Sequence, residues 1–270
     1  MSRKTPVASG IPRLLYFPAA LGFALLVFPV LGLILRADWP RVPAAIVSPE
    51  ATSALRLSLQ TSVTATALCA IIGIPLALVI ARSGRRLAGL LRALTTLPLV
   101  MPPLVGGIAL LYLLGRNGLI GGVLNVAFGI RIPFTTAAVV IAQSFVALPF
   151  LVIAVEGALR TAGTRFETVA ATLGAGRWTV FRRITLPLIL PGLISGTVLC
   201  FARALGEFGA TALFAGNAAG ITRTMPLAIY TAFNGAGVTQ DSAIALSLLL
   251  IVVAIGILLL LRSWQSEPER

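Results

Sequence analysis

Apolar residues run along this chain in six long blocks, roughly 14–35, 55–81, 94–114, 135–156, 188–214 and 242–261, and the arginines gather between them. About 20 apolar residues in helical form cross the hydrocarbon core of a bilayer, so each block predicts a membrane-spanning helix. The first block follows Arg3, Lys4 and Arg13. Its apolar run is too long for a signal-peptide core and Arg36-Ala37-Asp38-Trp39 offers no small-residue cleavage pattern, so it reads as a retained anchor. The third block contains Pro98, Pro102 and Pro103, then Gly106 and Gly107, and is expected to break or kink near its start. The second opens with Ser58, Gln60, Thr61, Ser62, Thr64 and Thr66, small hydroxyls and an amide that let helices approach closely and hydrogen-bond; packing is the favoured reading over pore lining.

Composition agrees with this pattern and narrows the chemistry. Hydrophobic residues make up 58% and charged residues 11% of 270, too little polar surface to coat a water-soluble fold. The fold class is therefore an all-α integral membrane protein of about six transmembrane helices. With no His and a single Lys, Lys4, the chain has no imidazole for catalysis or metal binding and no G-x-x-x-x-G-K-[ST] phosphate loop. Cys69 and Cys200 sit in apolar runs without metal-ligand spacing and are expected to be small packing residues. The expectation is no catalytic and no metal site.

The net charge of +13 would suggest nucleic acid in a soluble chain, but here it maps onto topology. Fourteen basic residues fall on one side: Arg3, Lys4 and Arg13; Arg82, Arg85, Arg86 and Arg92; Arg160, Arg165, Arg177, Arg182 and Arg183; Arg262 and Arg270. Five (Arg36, Arg41, Arg116, Arg131, Arg223) fall on the other, and Arg56 and Arg203 lie within the spans. By the positive-inside rule both termini are cytoplasmic.

The longest cytoplasmic connection carries the most information. Thr164 and Glu167 have the spacing of a capping box, and Phe166, Val169, Ala170 and Leu173 recur on one helical face. Gly174 then supplies a left-handed stop and Gly176 a second turn. Arg177–Ile184 reads as a second short helix, with Trp178 and Phe181 at i, i+3 and Pro187 ending it before the next span. The residues fit two arrangements: an interfacial helix in lipid headgroups, or a knob docking on a cytoplasmic protein. In the fifth span Arg203 and Glu207 lie four apart on one face, flanked by Gly206 and Gly209, which permit close backbone approach. Ionisable groups at that depth are costly, so they form a packing ion pair, a pathway or gate element, or both. Gly216, Gly220 and Pro226 predict an irregular turn before the last span.

Glu167, Ala170, Leu173-Gly174, Ile184 and Leu186-Pro187 resemble the EAA loop of ABC-importer permeases, with departures at Thr168, Val169 and Ala171. The blocks GEFGAT from Gly206, AGN from Ala215, G-x-T-x-T-x-P-L-A-I-Y from Gly220, Leu97–Gly107 and Leu113–Gly121 are similar to the molybdate branch of the molybdate, tungstate and sulfate permeases. The likeness spans Leu55 to Leu261. It implies a type I ABC-importer transmembrane fold: residues 1–54 as cytoplasmic N-terminus, anchor and first outer loop, 55–261 as the core with its coupling loop at 157–187, and 262–270 as a cytoplasmic tail. With nine residues following Leu261, the regulatory domain of some relatives is expected to be absent.

The resemblance further implies a permease subunit for molybdate, with tungstate or sulfate as alternatives. Its partners would be a second copy of itself, two ABC ATPase subunits that bind the ATP and Mg, an extracytoplasmic molybdate-binding protein and the lipid bilayer, with no nucleic acid and no cofactor on this chain. Thr164, Phe166, Glu167, Ala170, Leu173, Gly174, Trp178, Phe181 and Pro187 would form the ATPase-coupling loop. Arg203, Gly206, Glu207 and Gly209, and beyond them the outer Arg223, would be candidates for the path or gate, with no tight anion site, which would slow release. Two rivals remain. An ion-coupled secondary transporter would need carboxylates near the midplane, and Glu207 and Glu156 are the candidates; a membrane-embedded hydrolase would have to work without His or an acidic cluster.

Overall fold

The computed structural model describes residues 12–235 and 240–263, so Arg3, Lys4 and Arg270 lie outside the described residues. The elements are helices throughout: α1 (Tyr16–Arg36), α2 (Val42–Ile46), α3 (Pro49–Arg82), α4 (Arg85–Val100), α5 (Pro103–Leu114), α6 (Gly121–Phe128), α7 (Thr136–Ala162), α8 (Arg165–Thr172), α9 (Arg177–Val180), α10 (Leu186–Leu205), α11 (Gly209–Phe214), α12 (Met225–Phe233) and α13 (Gln240–Ser263). Among the described residues, five helices are long and apolar enough to cross a membrane, and α4 with α5 makes a sixth if the bent pair counts as one span.

Helix α7 is the axis of the bundle, and α3 and α10 pack along it. Thr135 starts α7 by accepting a hydrogen bond from the Ala138 amide at 3.2 Å, and Ser48 starts α3 by accepting from Ala51, with Pro49 in the first turn. That cap begins α3 six residues ahead of the expected Leu55. Small residues set the helix spacing. A Cβ built on Gly192 would lie 2.4 Å from the Ala158 Cβ, and one on Gly196 2.8 Å from Ala154, so α10 and α7 meet along a small-x-x-x-small seam. Of the polar residues expected to pack along α3, Ser58, Thr61, Ser62 and Thr66 are buried, whereas Gln60 and Thr64 are exposed. Ser58 accepts from the Met225 amide at 2.7 Å, which ties α12 to α3. Cys69 and Cys200 are free and buried in the same core cluster. Helix α1 is apolar all round and buries none of its residues, a surface suited to lipid.

The break expected near the start of the third block is present: the block is two helices, parted at Met101-Pro102 and bent by 113°, because Pro102 and Pro103 remove consecutive amide donors. Two other expectations are corrected. The fifth block stops at Leu205 and resumes as the short α11. Pro187 ends nothing: α9 runs through a π-helical turn, Phe181–Thr185, straight into α10, so Arg177–Leu205 is one helix of 29 residues. The Leu186 amide bonds to the Phe181 carbonyl five residues back, and this wider turn accommodates the proline ring.

The C-terminus of α3, the N-terminus of α4, the C-terminus of α7 and the α8–α9 segment share one end of the bundle, with Arg82 bonded to Glu167 and Arg92 to Glu156. At the other end Arg41 reaches Asp241 at 3.4 Å and Thr136 bonds to the Ile221 carbonyl. The arginine-rich connections are thus gathered at a single end.

Candidate functional site

Two places carry the candidate residues, one at the arginine-rich end and one where the fifth block breaks. At the arginine-rich end α8 stands off the bundle with its apolar stripe uncovered: Phe166, Val169 and Leu173 are exposed, Leu173 by 83%. Ala170 lies half-buried at the base of the stripe. With Ile184, Pro187 and Leu188 these residues line an open apolar groove of ≈ 420 Å³. Gly174, at φ +84°, closes α8 with paired bonds from the Ala175 amide to Ala170 and from Gly174 to Ala171. Trp178 is exposed and stacks on Phe181 with ring centroids 5.4 Å apart. Phe166, Ala170, Leu173, Gly174, Trp178, Phe181 and Pro187 are therefore brought together on one knob.

The capping box does not form. Thr164 sits in a helical conformation and its hydroxyl caps nothing, while its carbonyl accepts from both the amide and the hydroxyl of Thr168. Glu167 has better partners: Oε1 accepts from the Arg82 guanidinium at the end of α3 and from the Thr185 hydroxyl at 2.7 Å, inside the π-helical turn. One carboxylate thus ties α8 to α3 and to the start of α10. Arg82 and Thr185 escape sequence reasoning because nothing local links them to a residue 85 or 18 positions away.

At the break of the fifth block Arg203 and Glu207 form an ion pair at 2.7 Å, Glu207 being almost fully buried. The other Glu207 oxygen accepts from the Ala210 amide at 2.8 Å and so caps the first turn of α11. Gly209 is a close approach: a Cβ there would lie 2.8 Å from Pro103, and one on Gly107 would lie 2.9 Å from the Ala210 carbonyl, so α11 nests against α5. Gly206 needs no such closeness, with an ordinary φ of −85° and no atom nearer than 3.6 Å to an added Cβ. Arg223 is held in the turn before α12 by Asn217, whose Oδ1 accepts from its Nε at 2.9 Å, and Pro226 lies in the first turn of α12. Glu156 lies at the arginine-rich end, engaged by Arg92 from α4 at 2.6 Å and by Arg160 at 2.9 Å. That placement removes it from the midplane role the secondary-transporter reading requires.

Fold and geometry define the class: a polytopic α-helical membrane protein with a tethered, apolar helical knob at its arginine-rich end. Residues 73–265 match the family described as binding-protein-dependent transport system inner membrane component, and the chain belongs to that family. It is 57% identical over 245 residues to the molybdenum transport system permease protein ModB of Mycobacterium tuberculosis, covering 90% of this chain and 91% of that one. It is 42% identical over 225 residues to ModB of Escherichia coli K12, covering 83% and 97%. Its fold is similar to a chain of a bacterial ABC transporter that imports alginate, with a TM-score of 0.70 at 21% identity over 95% of this chain and 96% of that one. A chain of the inward-facing MetNI methionine ABC transporter matches with a TM-score of 0.61 at 18% identity, covering 78% and 92%.

Proposed function

We propose that this chain is the membrane subunit of an ATP-driven importer of molybdate and that two copies form the translocation path across the cytoplasmic membrane. The observation that carries the substrate is the nearly end-to-end match to permeases named for molybdenum transport. ATP and Mg belong to two ATPase subunits on the cytoplasmic side, and an extracytoplasmic binding protein delivers the anion. Both termini are cytoplasmic, since the arginine-rich end meets the positive-inside rule.

The α8–α9 knob is the coupling element. Its exposed apolar stripe needs a protein surface to cover it, and the Glu167 tether passes a displacement of α8 directly to α3 and α10. ATP binding closes the ATPases and carries the two knobs inward; the spans rock to face outward and the anion enters. Hydrolysis restores the inward-facing state. ATP drives the cycle because it binds the two conformations with different affinity. Arg203 and Glu207 hold the helix break beside this path, their charges compensating each other in the apolar interior.

Competition decides the anion. Labelled molybdate uptake by the assembled transporter is expected to fall with micromolar tungstate and to resist micromolar sulfate. Equal competition by sulfate would assign the chain to sulfate import instead.

A further inference from the structure

Helix α3 has a second polar face that the bundle does not use. Ser58, Thr61, Ser62 and Thr66 point into the core, whereas Thr52, Arg56, Gln60 and Thr64 recur every fourth residue on an exposed face. At about 1.5 Å per residue the 34 residues of α3 extend about 51 Å, well beyond a hydrocarbon core of about 30 Å. Counting about 20 residues back from the arginine-flanked end at Arg82 places the far boundary of the core near Thr61. Thr64 and Gln60 then lie at that boundary and Arg56 one turn outside it. A guanidinium, an amide and hydroxyls in a row at this depth are poorly matched to lipid chains and well matched to water.

Several arginines near that end are paired; among the described residues Arg36, Arg56 and Arg116 are not, and of these three Arg56 is the one that lines the cavity between α3 and the turn at Gly220. Arg203 is paired with Glu207, Arg223 with Asn217, Arg131 with Asn125, and Arg41 with Asp38 and Asp241. Arg56 has no hydrogen-bond or ion-pair partner among the described residues. It lines an open cavity of ≈ 510 Å³ with Thr52, Ser53, Gln60 and Gly220, and none of the residues bordering that cavity is acidic. At about 30 Å³ per water, the space holds a tetrahedral oxyanion together with a shell of solvent.

We propose that Arg56, with Ser53 and Gln60, forms a transient oxyanion contact on the wall of the outer mouth of the translocation path. The guanidinium offers a planar fork of donors to a dianion, and the Ser53 hydroxyl and Gln60 amide supply neutral donors around it, whereas the Thr52 hydroxyl donates back to the Ser48 carbonyl at 3.0 Å. No carboxylate in the cavity neutralises the arginine, which therefore attracts the anion leaving the binding protein. Water in the open cavity keeps the contact weak enough to release it inward. This inference rests on the import reading and on the orientation given above.

The test uses the assembled transporter, with its ATPase and binding protein, in proteoliposomes. Arg56→Gln is expected to lower molybdate uptake at least tenfold and Arg56→Lys to keep it within threefold of the parent, with the affinity of the loaded binding protein for the transporter unchanged within twofold. Because Cys69 and Cys200 are buried, a Gln60→Cys variant reports accessibility over a low background, with Arg56 in place. It should react with a negatively charged, membrane-impermeant thiosulfonate added outside, and excess molybdate should slow the reaction. Uptake by Arg56→Gln within twofold of the parent overturns the proposal. So does loss of binding-protein affinity, which would make Arg56 a docking contact. Reaction of the Gln60→Cys variant with lipophilic maleimide alone also overturns it, by turning this face to lipid. The labelling needs no turnover: a parent complex without ATP-dependent uptake would defeat the import reading by itself, and labelling from the lumen alone would reverse the orientation.

Discussion

Two glutamate–arginine pairs sit at the two candidate places, and they are built for opposite purposes. Glu207 and Arg203 are four residues apart on one helix, and the carboxylate is 1% exposed. Glu167 and Arg82 are 85 residues apart on different helices, and both side chains reach solvent. The first pair fixes a helix break inside the bundle, because the same carboxylate also caps α11. The second links three elements at the surface, where water can take over its hydrogen bonds at little cost if α8 moves. A buried local pair pins, whereas an exposed long-range pair tethers.

The largest expected effect comes from breaking the pinned pair. Glu207→Ala leaves Arg203 uncompensated and the Ala210 amide unbonded, and should destabilise the protein by about 3 kcal/mol. Thermal unfolding in detergent reads this, and adding Arg203→Ala should recover part of the loss, because the uncompensated charge is removed with its partner. Breaking the tether is expected to separate stability from function. Glu167→Ala should cost about 1 kcal/mol or less, as partly exposed ion pairs do, yet lower ATP-driven uptake roughly tenfold by freeing α8 from α3 and α10. The charge-swapped pair Arg82→Glu with Glu167→Arg should restore part of the uptake; a swap no better than either single variant would deny the tether its role. The smallest effect concerns Thr164. Its hydroxyl caps nothing, so Thr164→Ala should change stability by less than about 0.5 kcal/mol, where loss of a working cap costs about 1 kcal/mol. A full kcal/mol in the same unfolding assay would reinstate the capping box.

The same contrast explains what the sequence could convey. Hydropathy located the spans, and the prolines at 98, 102 and 103 marked a break, because both effects act through bilayer length and the local backbone. The size of the bend could not be read, since α5 turns to meet Gly209 and Ala210, a packing partner about a hundred residues away. Gly174 ended α8 as expected because a left-handed residue is a local requirement. Thr164 and Glu167 had the spacing of a capping box, yet the carboxylate took a charged partner from α3 in preference to a backbone amide. Pro187 failed to stop the helix because the π-helical turn before it relieves the clash that makes proline a terminator. Arg203 and Glu207 were legible as a pair, being four apart. Arg56 was visible as an arginine in a span, but its face on α3 took on meaning once α7 and α12 had claimed the other one.

On the proposed function, this chain moves its anion when ATP is hydrolysed by separate subunits that dock on the α8 knob. The most direct measurement is labelled molybdate accumulation in proteoliposomes containing this chain and the binding protein, with and without the ATPase subunits and ATP. The account predicts accumulation when ATPase and ATP are both present and none when either is left out. Accumulation by this chain in the absence of ATP would contradict it.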